Sequence, residues 1–247
     1  AVVIGKGYIA MEMAEALVAH GLKTTVLGRR PGVLPNFEPE IGGLVVEELT
    51  REGVGILQGA EVQSLRSSGG AGLEIVLTDG RVLHTDMVVV GAGVTPRSGL
   101  AEQAGLELGA KKAIKVDRRQ RTTRENIWSA GDCAEVYHLL LKRNTYVPLA
   151  LGANRQGRIA GADIVGLPAE FPGILGTAIC KVFNLTVART GLGFQEALDE
   201  GLDVEKVGAT SRSRAHYYPG GSKVTTILIV EKGSRKPWGA QMVGADG

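Results

Sequence analysis

Hydrophobic residues over the first 95 positions follow two periodicities. Four apolar runs are too short for helices, so buried strands are predicted at residues 1–4, 23–27, 54–57 and 86–90. Between them, apolar residues at helical spacing predict helices at 11–20 and 37–51. Strands that alternate with helices are typical of a parallel sheet covered by helices, so an α/β domain is expected to end near residue 95.

The pattern changes twice further along the chain. Residues 73–77 and 81–84 alternate on either side of Asp79 and Gly80, which predicts a hairpin. The next predicted elements are a helix at 98–104, strands at 113–116 and 127–129, and a helix at 148–165 rich in small residues. The last are strands at 177–190, 204–211, 223–230 and 238–243, with a helix at 193–200. Three domains are therefore expected, at residues 1–95, 96–168 and 169–247.

Composition narrows the class of protein. The 247 residues are 44% apolar and 22% charged with a net charge of +2, which is ordinary for a globular protein and gives no indication of nucleic acid as a partner. The basic stretch between Lys111 and Arg124 is interpreted as solvated. No apolar run reaches the ~18–20 residues of a membrane span, so no membrane partner is expected. Cys133 and Cys180 form no CxxC pair, and a cytoplasmic location is expected.

The first predicted strand leads into a glycine-rich turn. Gly5 permits a sharp reversal, Gly7 lets a pyrophosphate approach bare backbone, and Ala10 allows the next helix to lie close to the strand. The start of that helix offers free N–H groups and the positive end of its dipole to phosphate. The turn, which also contains Tyr8 and Ile9, therefore predicts dinucleotide binding in a Rossmann-like domain.

The end of the second predicted strand indicates which dinucleotide is bound. An acid there usually holds the ribose 2′-OH of NADH, but this chain has Gly28. Arg29 and Arg30 follow at once, and guanidinium groups suit a 2′-phosphate. NADPH is therefore favoured over NADH. The alternative is that the arginines form a solvated turn from which the acid has been lost.

Several motifs, in their order along the chain, resemble one family. Residues 5–12 (GKGYIAME) look like the NAD(P)H motif of the pyridine nucleotide–disulfide oxidoreductases, which are flavoprotein reductases with two dinucleotide sites. Residues 88–96 resemble their strand that leads out of the NAD(P)H domain, and residues 127–134 (IWSAGDCA) resemble their second flavin motif. Residues 171–192 and 216–220 look like the interface domain of the coenzyme A disulfide reductase and NADH oxidase branch.

The resemblance implies a fold and its cofactors. The expected class is α/β, with a Rossmann-like NAD(P)H-binding domain, the second half of an FAD-binding domain and an incomplete α+β interface domain. Gly91 and Gly93 join the expected nucleotide site. In the family, a first flavin domain that carries the reactive cysteine precedes this segment, and the sequence does not contain it. The polypeptide alone is therefore expected neither to hold FAD tightly nor to turn over.

The resemblance also assigns residues to the flavin. Gly131 lets the chain turn, and Asp132 is expected to accept a hydrogen bond from the flavin ribityl chain. The alternative for Asp132 is an ordinary turn aspartate. Pro148, Leu149 and Ala150 open the glycine-rich helix whose positive dipole end, in the family, faces the flavin pyrimidine and stabilises the anion that forms on reduction.

The remaining roles concern catalysis. Tyr8 resembles the residue that gates the nicotinamide pocket, and Glu12 resembles the glutamate that pairs with a lysine near flavin N5. Their alternatives are packing and an ordinary acid favoured by the helix dipole. Tyr217 and Tyr218 are candidates to reach the partner subunit's active site, with strand packing as the alternative. The other residues considered are expected to be structural: His216, Cys133 and Cys180.

The function implied is that of a homodimeric, FAD-dependent NAD(P)H oxidoreductase. Hydride would pass from NADPH to flavin, and electrons would then pass to a disulfide such as that of coenzyme A, or to O2. Two alternatives stay open. One is an electron-transfer reductase that serves a ferredoxin, rubredoxin or nitrite-reducing partner, and the other is a non-catalytic nucleotide-binding and dimerisation module.

Overall fold

The structure is a computed structural model that describes residues 1–70 and 72–246. It forms two compact units. One comprises Ala1–Gly93 together with the segment from Ile179 onward, and the other is Val94–Ala178. Among the described residues, no helix is both long and apolar enough to cross a membrane. The expected division into three domains stays a prediction.

The first unit is built on a parallel sheet. Its strands are β1 (Val2–Ile4), β2 (Thr25–Gly28), β3 (Gly55–Gln58) and β7 (Val88–Val90), in the order β3-β2-β1-β7. The helices are α1 (Tyr8–Ala19) and α2 (Pro39–Arg51). Val3 lies at the centre, in parallel register with Val26 and Val89, and is fully buried. The α/β fold class expected from the hydrophobic pattern is confirmed.

A small antiparallel sheet interrupts this βαβ pattern before β7. It consists of β4 (Val62–Ser67), β5 (Leu73–Leu77) and β6 (Val82–Thr85) in that order. The predicted hairpin joins β5 to β6, and the Asp79 carboxylate accepts a hydrogen bond from the Arg81 backbone N–H at 3.1 Å. Its inner residues Ile75 and Leu77 are fully buried in a cluster with Leu27, so this sheet shares the core of the parallel one.

The last part of the first unit is a five-stranded antiparallel sheet in the order β10-β11-β14-β13-β12. Its elements are β10 (Ala178–Val182), β11 (Leu185–Gly191), α5 (Phe194–Asp199), β12 (Val204–Arg212), β13 (Lys223–Glu231) and β14 (Pro237–Gly244). The prediction of one strand over residues 177–190 was wrong, because the chain reverses at Phe183, which has φ 52°. Carboxylates hold the reversal: Glu15 accepts the Phe183 N–H at 2.7 Å and Glu48 accepts the Asn184 N–H at 3.0 Å.

Further contacts join the two segments of the first unit around Glu38, which is 7% exposed. Its backbone N–H donates to the side-chain oxygen of Gln241 at 2.6 Å, and its carboxylate accepts the Phe194 N–H at 2.8 Å. Lys206 lies 3.3 Å from the same carboxylate. Each of these two side chains therefore satisfies a backbone group of the other segment: Gln241 accepts the Glu38 N–H, and the Glu38 carboxylate accepts the N–H at the start of α5.

The second unit contains α3 (Gly99–Gln103), β8 (Val136–His138), β9 (Arg143–Thr145) and α4 (Ala150–Ile164). The strands predicted at 113–116 and 127–129 were wrong. Ile114 makes only isolated bridges, to Leu108 and Ala134, and Trp128 makes one to Arg121. Without a partner segment that continues the ladder, single bridges do not extend into strands. The β8–β9 hairpin was missed because no two-residue turn signal marks it.

Candidate functional site

The phosphate turn, residues 5–10, is shaped by two close backbone approaches. Gly5 has φ +126°, and a Cβ there would lie 2.2 Å from the Gly91 carbonyl oxygen. Ala10 is fully buried, and a Cβ on Gly91 would sit 3.4 Å from its backbone nitrogen. Small residues at these positions thus let α1 lie against β1 and β7. The sequence reasoning for Gly5 and Ala10 agrees with this packing.

The helix begins earlier than expected. Gly7 is the N-cap in extended conformation (φ −83°, ψ −172°), and the Met11 N–H already bonds its carbonyl at 3.1 Å. The prediction that residues 8–10 form a loop was therefore wrong, and Tyr8, Ile9 and Ala10 form the first turn of α1. No side chain caps this helix start and no acid lies in its first turn. Its first N–H groups therefore remain available to an anion.

Gly7 differs from Gly5 in what surrounds it. A Cβ on Gly7 would meet no atom within 4 Å. The open space lies beside the uncapped helix start, where a pyrophosphate would approach the backbone. Ile9 is 51% exposed next to it. No side chain therefore stands between the backbone at Gly7 and a ligand that approaches the helix start.

Tyr8 is partly buried, and its ring lies edge-on to Phe37 with the centroids 5.9 Å apart. Its hydroxyl is buried and has no hydrogen-bond partner among the described residues, and burial raises the pKa of Tyr8 to about 12. An unpaired buried hydroxyl costs free energy, so this ring would gain by turning toward a polar ligand. Its gating role stays a prediction, as does the role of Glu12, which is exposed on the next turn of α1.

The arginine turn, residues 28–30, follows β2. Arg29 and Arg30 are both exposed, and Arg29 lies 3.5 Å from the Glu61 carboxylate. An exposed ion pair of this kind is worth about 0–1 kcal/mol, so it leaves Arg29 free to change partner. Sequence reasoning identified the arginines but not Glu61, because the partner comes from the start of a different sheet.

Gly93, at the end of β7, has φ +107° and open space around it, whereas Gly91 donates its N–H to the Ile4 carbonyl at 2.7 Å. Gly91 therefore packs the turn, and Gly93 lies where a ligand would meet no side chain. Tyr217 and Tyr218 lie in the connection between β12 and β13, 88% and 56% exposed. Because both tyrosines lie in a connection and not in a strand, strand packing, the alternative considered for them, does not apply.

In the second unit, Gly131 and Asp132 form a turn held against α4. Gly131 has φ +83°, and its N–H donates to the Gln156 side-chain oxygen at 3.0 Å. The Gln156 amide in turn donates to the Glu135 carbonyl at 2.7 Å. Gln156 is 2% exposed while Asp132 is exposed. Gln156 therefore holds the turn in place, while the Asp132 carboxylate is exposed and available to a ligand hydroxyl.

Two further features of the second unit belong to the expected flavin site: the start of α4 and the Tyr146 hydroxyl. Leu149 is the N-cap of α4 in extended conformation and makes no side-chain cap, and Pro148 precedes it. The helix thus starts at Ala150 rather than at residue 148, and its first N–H groups are uncapped. The Tyr146 hydroxyl is buried without a partner, and burial together with the Asp132 charge raises its pKa. Sequence reasoning missed Tyr146, since a lone tyrosine in a strand carries no signal.

The two cysteines fit the structural role expected of them. Cys133 is partly exposed, and its Sγ lies 3.6 Å from the Ala130 carbonyl oxygen. Cys180 is buried, and burial raises the pKa of its thiol to about 12. A thiol with that pKa stays protonated at neutral pH and is a poor nucleophile.

The geometry agrees with the sequence comparisons. The family profile described as pyridine nucleotide-disulphide oxidoreductase matches residues 1–157, and the profile of the corresponding dimerisation domain matches residues 177–247. The chain belongs to the pyridine nucleotide-disulphide oxidoreductase family. The resemblance drawn from its motifs is confirmed, and the antiparallel sheet that ends the first unit lies within the dimerisation-domain match.

Curated relatives name the chemistry of other family members. The chain is 38% identical over 246 residues to the "NAD(P)H sulfur oxidoreductase (CoA-dependent)" of Pyrococcus furiosus, covering 99% of this chain and 55% of that one. It is 30% identical over 246 residues to the "Coenzyme A disulfide reductase" of Staphylococcus aureus, with the same coverage. The chain therefore spans about half the length of the curated relatives it matches.

Solved family structures share the fold closely. A NAD-dependent persulfide reductase from A. fulgidus superposes with a TM-score of 0.92 at 41% identity, covering 98% of this chain and 45% of that one. An engineered water-forming NADPH oxidase bound to NADPH, derived from a Lactobacillus brevis NADH oxidase, gives a TM-score of 0.91 at 27% identity. That match covers 99% of this chain and 54% of the other.

Proposed function

We propose that the full-length protein is an FAD-dependent NAD(P)H oxidoreductase that prefers NADPH and reduces a coenzyme A-linked disulfide or persulfide. The observation that carries the proposal is the open space over Gly7 beside the uncapped start of α1. Backbone N–H groups there would bind the dinucleotide pyrophosphate, because the helix dipole and free donors both favour an anion. The close packing of Gly5 against Gly91 keeps this turn rigid.

The arginine turn supports NADPH in particular. The NADPH-bound engineered oxidase carries an aspartate replaced by alanine and the next residue replaced by arginine. A further glycine-to-alanine change lies eighteen positions before that aspartate, which is also the separation between Ala10 and Gly28. Ala10, the lack of an acid at Gly28, and Arg29 therefore match three features of that NADPH-binding protein, although its aspartate is replaced by alanine rather than glycine. Arg29 and Arg30 would bind the 2′-phosphate as charge-assisted donors.

Residues of the second unit fit a flavin. Asp132 would accept a hydrogen bond from a ribityl hydroxyl, and Gln156 would hold the turn in place through Gly131. The unpaired Tyr146 hydroxyl supplies a further buried polar group near that carboxylate. The uncapped start of α4 would face developing negative charge on the cofactor. FAD, when bound, supplies the redox chemistry that links the nicotinamide to the disulfide.

The acceptor, assembly and location rest on the relatives and on composition. The Pyrococcus furiosus relative is named as CoA-dependent and the Staphylococcus aureus relative as a reductase of coenzyme A disulfide, so a disulfide of this class is the proposed substrate. The dimerisation-domain match supports a homodimer. Both cysteines are free, which suits a reducing cytoplasm.

A comparison of kcat/KM for NADPH and NADH in the full-length protein tests the nucleotide assignment. Each guanidinium contact to a phosphate is worth about 1.5–3 kcal/mol, so Arg29→Ala and Arg30→Ala are each expected to lower the preference for NADPH about tenfold or more. NADH kinetics are expected to change little. An unaltered NADPH preference in both variants would refute the role of the arginines.

The acceptor is tested by following NADPH oxidation with coenzyme A disulfide, O2 and ferredoxin as alternative acceptors. Consumption that depends on coenzyme A disulfide, with two thiols released per NADPH, is the expected result. Oxidation only with ferredoxin would favour the electron-transfer reductase. Nucleotide binding without turnover on any acceptor would favour a non-catalytic module.

A further inference from the structure

Lys6 occupies an unusual place for a lysine. It lies between Gly5 and Gly7 of the phosphate turn and is only 9% exposed. Its side chain reaches across the end of β2, and its Nζ donates to the Arg30 carbonyl oxygen at 2.6 Å. One residue of the phosphate turn is therefore bonded to the turn that carries both arginines.

The backbone reinforces this connection. The Lys6 carbonyl accepts a hydrogen bond from the Leu34 N–H at 2.7 Å, and the Gly5 N–H donates to the Leu27 carbonyl at 2.8 Å. The phosphate turn is thus bonded to the chain just before and just after the arginine turn. A substitution of Lys6 is therefore expected to disturb the arginine turn more than the rest of the parallel sheet.

The stem of Lys6 explains the glycine at the end of β2. A Cβ on Gly28 would lie 3.1 Å from both Cγ and Cε of Lys6, which is tighter than ordinary contact. The space that an acidic side chain would enter is therefore filled by the lysine stem. Gly28, which stands where a ribose-binding acid is usual, thus leaves the space that the buried stem of Lys6 occupies.

The charge of Lys6 has no counter-ion among the described residues. No carboxylate of residues 1–70 and 72–246 lies within 4 Å of its Nζ, and Glu61 is paired with Arg29. Burial lowers the pKa of the Lys6 amine, which reflects the cost of its desolvated charge. An anion bound beside the arginine turn would offset that cost.

We propose that Lys6 is a positioning residue that sets the preference for a 2′-phosphorylated nucleotide. It fixes the Arg30 peptide so that the arginine turn faces the phosphate, and it adds an unneutralised positive charge beneath it. The inference rests on the proposed NADPH site and names a determinant of its specificity.

Binding of adenosine 2′,5′-bisphosphate and adenosine 5′-monophosphate to the full-length protein tests the inference without turnover, because the two probes differ only in the 2′-phosphate. Lys6→Met keeps the apolar stem over Gly28 and removes the donor and charge. We expect the dissociation constant of the bisphosphate to rise about tenfold, which is the size of one charge-assisted hydrogen bond, and that of the monophosphate to stay within twofold.

Lys6→Arg should recover part of the lost affinity for the bisphosphate. Lys23→Met, which changes an exposed lysine just before β2, is the matched control and should alter the binding of neither probe.

Equal weakening of both probes in Lys6→Met would show a merely structural role and overturn the inference, and so would unchanged binding of both. If Lys6→Met does not fold, Lys6→Leu, which also lacks the donor and the charge, is measured against the same criteria. Failure of the proposed function looks different, because wild-type protein would then bind neither NADPH nor NADH. Wild-type protein that prefers NADPH, with the same preference in Lys6→Met, would overturn the inference alone.

Discussion

Gly5 and Gly7 of the phosphate turn have different structural roles, which the glycine motif alone does not distinguish. Gly5 is required by the fold, since φ +126° excludes other residues and a Cβ would strike the Gly91 carbonyl. Gly7 has an ordinary φ of −83° and nothing in front of it. The lack of a side chain at Gly7 is therefore not required by the fold and instead leaves room for a ligand.

The two glycines give opposite results when each is replaced by alanine. Gly5→Ala is expected to lower the free energy of unfolding by at least about 2 kcal/mol, because backbone strain and a backbone clash add. Gly7→Ala is expected to cost no more than about 1 kcal/mol, as for an N-cap exchange, but to weaken NADPH binding tenfold or more. Urea unfolding and nucleotide titration of the full-length protein measure both. Unchanged NADPH binding in Gly7→Ala would contradict the pyrophosphate assignment.

Sequence reasoning reached the chemically distinctive residues of the site and missed the ones that hold them. Gly28, Arg29 and Arg30 are next to one another in the chain, so their meaning could be read directly. Lys6 acts on Arg30 from 24 positions away, and the spacing of a glycine motif leaves that position unspecified. Supporting contacts of this kind depend on how two strand ends meet in space.

At the scale of elements, the first unit was predicted better than the second, where the strands expected at 113–116 and 127–129 do not form. The helices of the first unit and the strands of the dimerisation sheet lie within a few residues of their expected bounds, except for the single strand predicted over residues 177–190. That segment folds as a hairpin because Glu15 and Glu48 satisfy the N–H groups of its turn, and both acids lie more than 130 residues earlier. No local pattern could report them.

The connection between α4 and the Gly131 turn gives a prediction at this scale. Gln156→Leu would leave the Gly131 N–H and the Glu135 carbonyl without their partner, so the turn that carries Asp132 is expected to loosen. We expect purified full-length protein to retain several-fold less FAD, measured as flavin absorbance per protein, while its NADPH affinity is unchanged. Gln103→Leu, an exposed glutamine of α3, serves as the control. Normal flavin content in Gln156→Leu would argue against this role.

At the scale of the whole molecule, the first unit unites segments that are far apart in the chain. Glu48, 3% exposed on α2, accepts hydrogen bonds from the Asn184 backbone at 3.0 Å and from its side chain at 3.1 Å. The nucleotide-binding segment and the dimerisation sheet are therefore expected to unfold together.

Removal of that carboxylate tests this cooperation. Glu48→Ala is expected to cost about 1.5–3 kcal/mol, the size of a hydrogen bond to a charged group, and to speed amide hydrogen exchange in both α2 and the β10–β11 hairpin. Glu47→Ala, at the exposed neighbouring position on the same helix, should cost less than about 0.5 kcal/mol. Faster exchange confined to α2 would show that the two segments open independently.

The contact between Glu38 and Gln241 also bears on how the protein is made. The two residues are 203 positions apart, and Phe194, the other partner of Glu38, is 156 positions away. At about 5–20 residues per second, a ribosome needs roughly 10–40 s to add the last of these partners after Glu38 has been synthesised. During that interval the carboxylate faces water, and the nascent nucleotide-binding segment lacks the surface that later covers it. Completion of this unit therefore waits until residue 241 has been synthesised, long after the strand β1 that opens it.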